Sequence, residues 1–301
     1  MPTWAIITIA AAFLQNLRSA GQKHLKSRMG TTGATFVRFG FGLPFAFLYL
    51  ALLVRFGEAA PPALNAEFGL WVIVGGTGQI AATFLLVYLF SFRNFAVGTA
   101  YSRTEPIQAA LFGLIFLSET VSGGVLAAIA VSVIGVMLIS VAHTTVSARS
   151  MVMSLGSRNA LIGLASGTLF GISAVAYRAA SLSLGGPNFI MQAAVTLCAT
   201  ILFQTLVMAA WMAVRDRGEL AKIASAWRPA LFVGFTGATA SFGWFMAMTL
   251  QQAAVVKTLA QIEMIFTFAA SMLFFRETIN LREIAGCLLI VGGIVLLLLI
   301  G

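Results

Sequence analysis

The chain has 301 residues, 60% apolar and only 9% charged, with a mean hydropathy of +0.98 and a formal net charge of +9. A soluble domain carries about 25% charged residues, so there is too little polar material here for a water-facing surface, and the composition reads as a polytopic membrane protein. Its cations sit mainly between apolar runs, where Lys and Arg set insertion topology; no basic stripe with interleaved aromatics appears, which argues against a nucleic-acid partner.

A spanning helix needs about 20 apolar residues, and ten such stretches are expected in order: about 3–20, 32–55, 70–91, 96–117, 122–142, 159–181, 188–214, 229–250, 253–275 and 280–300. The first lacks the basic start, short apolar core and cleavage site of a removable leader, so it is expected to stay as an uncleaved span. In span six Gly163, Gly167 and Gly171 repeat every four residues, the small-residue spacing of close helix packing. Gly75, Gly76 and Gly78 crowd the start of span three, and Gly292 and Gly293 lie within span ten. Cys198 and Cys287 fall inside spans, where reduced thiols rather than a disulfide are expected.

The second half of the chain restates the first. Residues 96–139 recur without a gap 158 positions later as residues 254–297, with 11 of 44 positions identical, among them Glu105 with Glu263, Phe116 with Phe274, Glu119-Thr120 with Glu277-Thr278 and Gly135 with Gly293. The register extends back to Gly76 with Gly234, Thr83 with Ser241 and Phe84 with Phe242. Residues 1–147 then form one repeat, 148–158 a connecting loop and 159–301 a second repeat, each of five spans. Five is odd, so the second copy enters the bilayer from the opposite side. The expected fold is all-α, ten transmembrane helices as two inverted five-helix repeats around a central cavity, an architecture of secondary transporters whose site lies near the midplane.

Lys23, Lys26 and Arg28, then Arg93, Arg149 with Arg158, Arg215 with Arg217, Lys222 and Arg228, and Arg276 with Arg282 all fall in loops on one side of a ten-span layout. That side is expected to be cytoplasmic, with both termini on the other face of a plasma (inner) membrane. Glu119 and Glu277 sit in the short corners joining spans four to five and nine to ten, and read as structural acids at helix starts.

Ionisable groups within spans are costly and usually face a bundle interior, so they are the functional candidates. Span four offers Thr99, Tyr101, Arg103 and Glu105; span nine offers Lys257, Gln261 and Glu263. Under the repeat Thr99 matches Lys257 and Arg103 matches Gln261, each pair four residues apart and so on one helical face. The glutamates lie two residues further on, about 160° around an ideal helix. Arg103 and Lys257 are expected to meet an anionic substrate group; the alternative is pairing with a glutamate, or snorkelling. Glu105 and Glu263 are either satisfied buried acids or protonatable coupling groups. Gln79 and Thr83 on span three, Ser241, Trp244 and Met248 on span eight and Asn16 on span one complete the candidate pocket. Arg18 and Arg178 are expected near interfaces. With His24 and His143 both in loops no metal site can be assembled, no Gly-rich nucleotide loop is present, and no cofactor or catalytic set is expected.

The run Glu105-Pro106 leading to Phe116-Leu117-Ser118-Glu119-Thr120, its copy Phe274-Phe275-Arg276-Glu277-Thr278 before Gly286 and Gly292-Gly293, and Phe170-Gly171 with Arg178 and Pro187 in span six together resemble the EamA-type permeases of the drug/metabolite transporter superfamily. Span one departs from that pattern, with Gln15-Asn16 for the usual aromatic-Gly pair and Lys23 for the cation. The resemblance implies ten helices, a cavity bounded by both repeats, alternating access, and movement of amino acids, sugars, nucleotide-linked sugars or drugs, commonly outward, with a monomer sufficient. The expected activity is therefore secondary transport of a small metabolite, amino acids or related zwitterions, and not enzymatic catalysis. The alternatives are export of apolar or cationic drugs and, in a different class, a channel or a non-transporting scaffold.

Overall fold

The structure, a computed structural model, describes residues 1–57, 60–92, 95–142, 154–270 and 280–300, whose regular structure is all helical. Chain order runs α1 (Thr3–Leu25), α2 (Thr31–Gly40), α3 (Leu43–Phe56), α4 (Ala66–Leu89), α5 (Phe95–Ser102), α6 (Glu105–Leu117) and α7 (Gly123–Ser140), then α8 (Arg158–Ser183), α9 (Phe189–Arg215), α10 (Arg217–Ser225), α11 (Trp227–Leu250), α12 (Ala253–Leu259), α13 (Ile262–Ala270) and α14 (Leu281–Ile300). Arg93, His143, Arg149, Phe274, Arg276, Glu277 and Thr278, on which parts of the loop and corner expectations rest, lie outside the described residues.

Helix starts follow ordinary capping chemistry. Side chains of Asn65, Ser122, Ser157 and Asn188 accept from the N–H groups of Phe68, Val125, Ala160 and, for Asn188, both Ile190 and Met191, satisfying donors that an apolar medium would leave stranded. Among the described residues seven stretches are long and apolar enough to cross a membrane: 31–56 (α2 with α3), α4, α7, α8, α9, α11 and α14. Large apolar side chains such as Ile6, Phe13, Leu52, Leu206 and Leu299 point outward, as a lipid-facing belt requires.

Three expected spans are not single helices. The second divides between α2 and α3, with Pro44 at the start of the latter. The fourth divides at Arg103-Thr104: Pro106 has no N–H, and its ring clashes with a carbonyl four residues back. That carbonyl belongs to Ser102, where α5 ends. The ninth divides at Ala260-Gln261, at the matching place in the second repeat and without a proline. There the N–H groups of Glu263 and Met264 reach only three residues back, to the carbonyls of Ala260 and Gln261 at 3.1 and 3.0 Å, a tightened turn in place of the α pattern.

Packing between the halves is reciprocal. The most extensive helix pairings are α4 on α8, α7 on α14 and α1 on α11. Exchanging the repeats turns the α1–α11 contact into the α8–α4 contact and leaves α7–α14 as itself. The glycine stripe of α8 makes room for the broken span: Gly163 lies against the Gly98 backbone, a Cβ at Gly167 would sit 2.8 Å from the Ser102 carbonyl, and one at Gly171 would sit 3.1 Å from the Ala109 nitrogen. α7 and α14 meet in the same way, where a Cβ at Gly135 would stand 2.7 Å from the Gly286 carbonyl.

Candidate functional site

At the centre of this packing is a narrow cavity of ≈ 60 Å³, room for about four to six waters at ~10–15 Å³ each. Both repeats line it. The first contributes Gln15, Arg18, Arg38, Gln79, Arg103 and Glu105, and the second Ser173, Tyr177, Ser241, Trp244, Met248 and Lys257.

The two helix breaks meet here. The Gln261 amide donates to the carbonyl of Arg103 at 3.3 Å, tying one break to the other. Arg103, the first residue past α5, pairs with Glu263 at the start of α13. Lys257 in α12 forms an ion pair with Glu105, its Nζ 2.8 Å from a carboxylate oxygen. Each ion pair therefore joins one repeat to the other across the breaks. An isolated charge within a bilayer costs about 2.5–3.5 kcal/mol on insertion scales, and pairing offsets part of that for all four groups.

The neighbours of these pairs are polar and specific. Gln15 on α1 donates to Glu263 at 2.9 Å and accepts from the Trp244 indole N–H at 3.0 Å. Asn16 donates to the Glu263 carbonyl at 3.1 Å and to the Thr267 hydroxyl at 2.9 Å. The Lys257 ammonium lies 5.0 Å above the Trp244 ring, within cation–π range. Gln79, Tyr177 and Gln204 form a buried network: the Tyr177 hydroxyl lies 2.9 Å from the Gly75 carbonyl and 3.0 Å from Gln79 Oε1, while Gln204 donates to Gln79 at 2.9 Å.

Two arginines stand apart from this pairing. Arg18 and Arg38 are 5% and 4% exposed, and among the described residues no carboxylate lies within salt-bridge distance of either. Arg38 donates to the hydroxyls of Thr83 at 3.3 Å and Ser241 at 3.5 Å, the two residues equivalent under the repeat. Arg18 donates to Ser19 at 3.1 Å, and its Nε is buried with no hydrogen-bond partner among the described residues.

Several sequence expectations are corrected. Arg18 is in the cavity wall, not at an interface, and Arg38 was missed altogether. The signal for it was available, since it is a cation inside an apolar span, as Arg103 is. Thr99, Tyr101 and Gln261 do not line the cavity. Tyr101 packs in an apolar cluster with Ala100, Val141 and Ala160, and Gln261 sits in the break. The four-residue spacing places Thr99 beside Arg103, and Lys257 beside Gln261, only on an unbroken helix; both helices stop between the two members. The same breaks bring Glu105 to the cavity and Glu263 onto Arg103, although a continuous helix would turn them away. Asn16 and Thr83 stand behind the lining, holding Glu263 and Arg38. Gln79, Arg103, Ser241, Trp244, Met248 and Lys257 are brought together on the wall.

Two further polar contacts join the repeats beyond the cavity. At the C-terminal end of α11, Arg178 pairs with Glu119 at 2.6 Å and donates to the carbonyls of Met248 and Gln251 at 2.6 and 2.8 Å, so it is held at a helix end. At the opposite end of α11, the preceding short helix α10 buries Glu219, which accepts from the Gly30 N–H at the start of α2 at 2.6 Å and pairs with Lys222 at 2.7 Å. The hydrogen bond and charge of Glu219 raise the Lys222 pKa above its ordinary value. Neither α10 nor this contact is legible in the residue pattern.

The fold and site define a polytopic membrane protein of two structural repeats with a charged, membrane-embedded cavity between them. The chain belongs to the EamA-like transporter family, part of the drug/metabolite transporter superfamily, whose model matches residues 2–141 and again 158–299. A solved structure described only as "Crystal structure of protein" is similar over 99% of this chain and 98% of that one, with 16% sequence identity and a TM-score of 0.73; likeness at that identity bears on the fold alone. No curated protein matches the chain.

Proposed function

We propose that this protein is a secondary active transporter that moves a small carboxylate-bearing metabolite, an amino acid or related zwitterion, outward across the inner membrane by alternating access. Ten spans follow if α2–α3, α5–α6 and α12–α13 each cross once as a broken helix and α1 crosses despite Gln15, Asn16 and Arg18. Five spans per repeat make the copies inverted, a reading supported by the reciprocal packing of α1–α11 with α4–α8. The Lys- and Arg-bearing loops then face the cytoplasm and both termini the other side.

The observation that carries the proposal is the pair of cross-repeat ion pairs, Arg103–Glu263 and Lys257–Glu105, at matching helix breaks. Discontinuous helices at equivalent positions of two repeats are where transporters bind their substrate. A zwitterion inserts into such a pair by giving its carboxylate to the cation and its amine to the acid. The amine and a proton then compete for the same glutamate, which is the competition proton-driven export needs. Arg178–Glu119 and Glu219–Gly30, at opposite ends of α11, join the repeats on either side of the cavity and suit two gates that open in turn. The surplus of cations in the wall counts against cationic drugs as cargo.

The test is uptake and efflux by purified protein in proteoliposomes against a panel of amino acids, sugars and organic cations, with and without a proton gradient. Saturable amino-acid flux that is lost in Arg103→Gln and Lys257→Gln supports the reading. Flux of sugars or cations alone, or none of any solute with protein shown to be folded, sinks it.

A further inference from the structure

We propose that Arg18 and Arg38 form a second, anionic subsite in the cavity, so that the cargo carries an acidic group in addition to its zwitterionic end. The inference rests on the transport reading above and narrows its substrate class to amino acids whose side chain ends in an oxyanion, a carboxylate or a phosphate.

Cations outnumber carboxylates in the cavity wall. Four cations line it, Arg18, Arg38, Arg103 and Lys257. Glu263 and Glu105 pair with Arg103 and Lys257, and Arg18 and Arg38 have no carboxylate within salt-bridge distance among the described residues. A buried guanidinium at this depth is costly without a counter-charge, and these two lie side by side. The stems of Arg18 and Arg38 are 3.3 and 3.4 Å from one and the same point, the place a Cβ would occupy on Gly237. Among the described residues their side-chain hydrogen-bond partners are hydroxyls, Ser19 for Arg18 and Thr83 with Ser241 for Arg38, and the Arg38 guanidinium also lies 5.4 Å from the Phe39 ring centroid. A hydroxyl orients a guanidinium without neutralising it, and the Arg18 Nε has no hydrogen-bond partner among the described residues.

Geometry gives the subsite a place and a chemistry. Each arginine is seven residues from the helix end nearest the 26–30 loop, about 10 Å at 1.5 Å per residue. Both therefore lie toward that loop, and an elongated cargo spans from the ion pairs to the arginines. Planar guanidinium forks bind carboxylate and phosphate oxygens through paired N–H donors. One added negative group between them offsets both unpaired charges in part, and a doubly ionised phosphate offsets them fully.

The experiment is equilibrium binding to the full chain in lipid nanodiscs with four probes: L-glutamate, O-phospho-L-serine, the neutral isostere L-glutamine, and succinate, which has two carboxylates and no amine. Glutamate and phosphoserine are expected to bind about tenfold or more tighter than glutamine, the discrimination one charge-assisted hydrogen-bonded contact supplies. Arg18→Gln and Arg38→Gln should bring both acidic probes to the glutamine level measured on the same variant, so that the acidic-to-neutral preference is lost. Gly237→Ala, whose methyl meets both stems, should weaken the acidic probes selectively, and serves where an arginine variant does not fold. Glutamine bound and transported as well as glutamate leaves transport intact and overturns the subsite. Succinate bound as tightly as glutamate, with both lost on Arg38→Gln, upholds the subsite and removes the zwitterion from the transport reading. No binding of any probe to folded protein overturns both.

Discussion

Glu263→Gln isolates the central ion pair at nearly constant shape. The Glu263 side chain is 7% exposed, accepts from Gln15 at 2.9 Å and pairs with Arg103. Removing one partner of a fully buried pair costs about 3–5 kcal/mol. The Arg103 side chain is 29% exposed toward the cavity, so water there screens it and pulls the figure toward the ~0–1 kcal/mol of surface pairs. About 2 kcal/mol is therefore expected, and the amide keeps one bond to Gln15. A double-mutant cycle with Arg103→Gln should recover about 1–2 kcal/mol of coupling, because the double variant leaves neither charge stranded. Unfolding in mixed micelles followed by far-ultraviolet circular dichroism measures all four corners, with Glu67→Gln on the exposed start of α4 as a control that should change stability by less than about 0.5 kcal/mol. Additivity of the two single variants within ~0.5 kcal/mol would refute the coupling of the repeats through this pair.

Gly163→Ala places a methyl on the Gly98 backbone and should destabilise by about 1–3 kcal/mol, as overpacking does; the same unfolding assay reads it, and no loss would mean that α5 moves away freely. Pro106→Ala should leave the break in place, since Met264 occupies the equivalent position and the second repeat breaks without proline; hydrogen exchange slowed across Arg103-Thr104 would contradict this. Glu219→Gln removes a charged cap from the start of α2 and should cost about 0.5–2 kcal/mol, seen as faster exchange at Gly30. Because pairing raises the Lys222 pKa, its contribution is complete below the free lysine value of about 10.4 and fades as pH rises through the raised value. Exchange in α10, corrected for the intrinsic base-catalysed rise with pH, should therefore quicken only at alkaline pH, and Glu219→Gln should abolish that corrected dependence.

Composition and spacing were enough to place this chain in a membrane, to divide it into two copies and to single out Arg103, Glu105, Lys257 and Glu263 as costly groups worth explaining. Those are properties of local sequence: apolar run length, charge inside a run, identity at a fixed offset. Which charges meet was not local. An unbroken helix puts Arg103 with Thr99 and turns Glu105 away, and residue periodicity alone carries no sign that both helices stop at that point. One stop is marked in the sequence by Pro106, while its counterpart at Ala260-Gln261 forms with no such residue. Arg38 also needed tertiary structure, since only the packing of α2 against α4 and α11 brings it between Thr83 and Ser241 and beside Arg18. The sequence by itself determined that charges are buried in a doubled helical unit. The three-dimensional packing decided that four of them neutralise one another across the repeats and that two do not, because pairing depends on distances across helices that no residue spacing encodes.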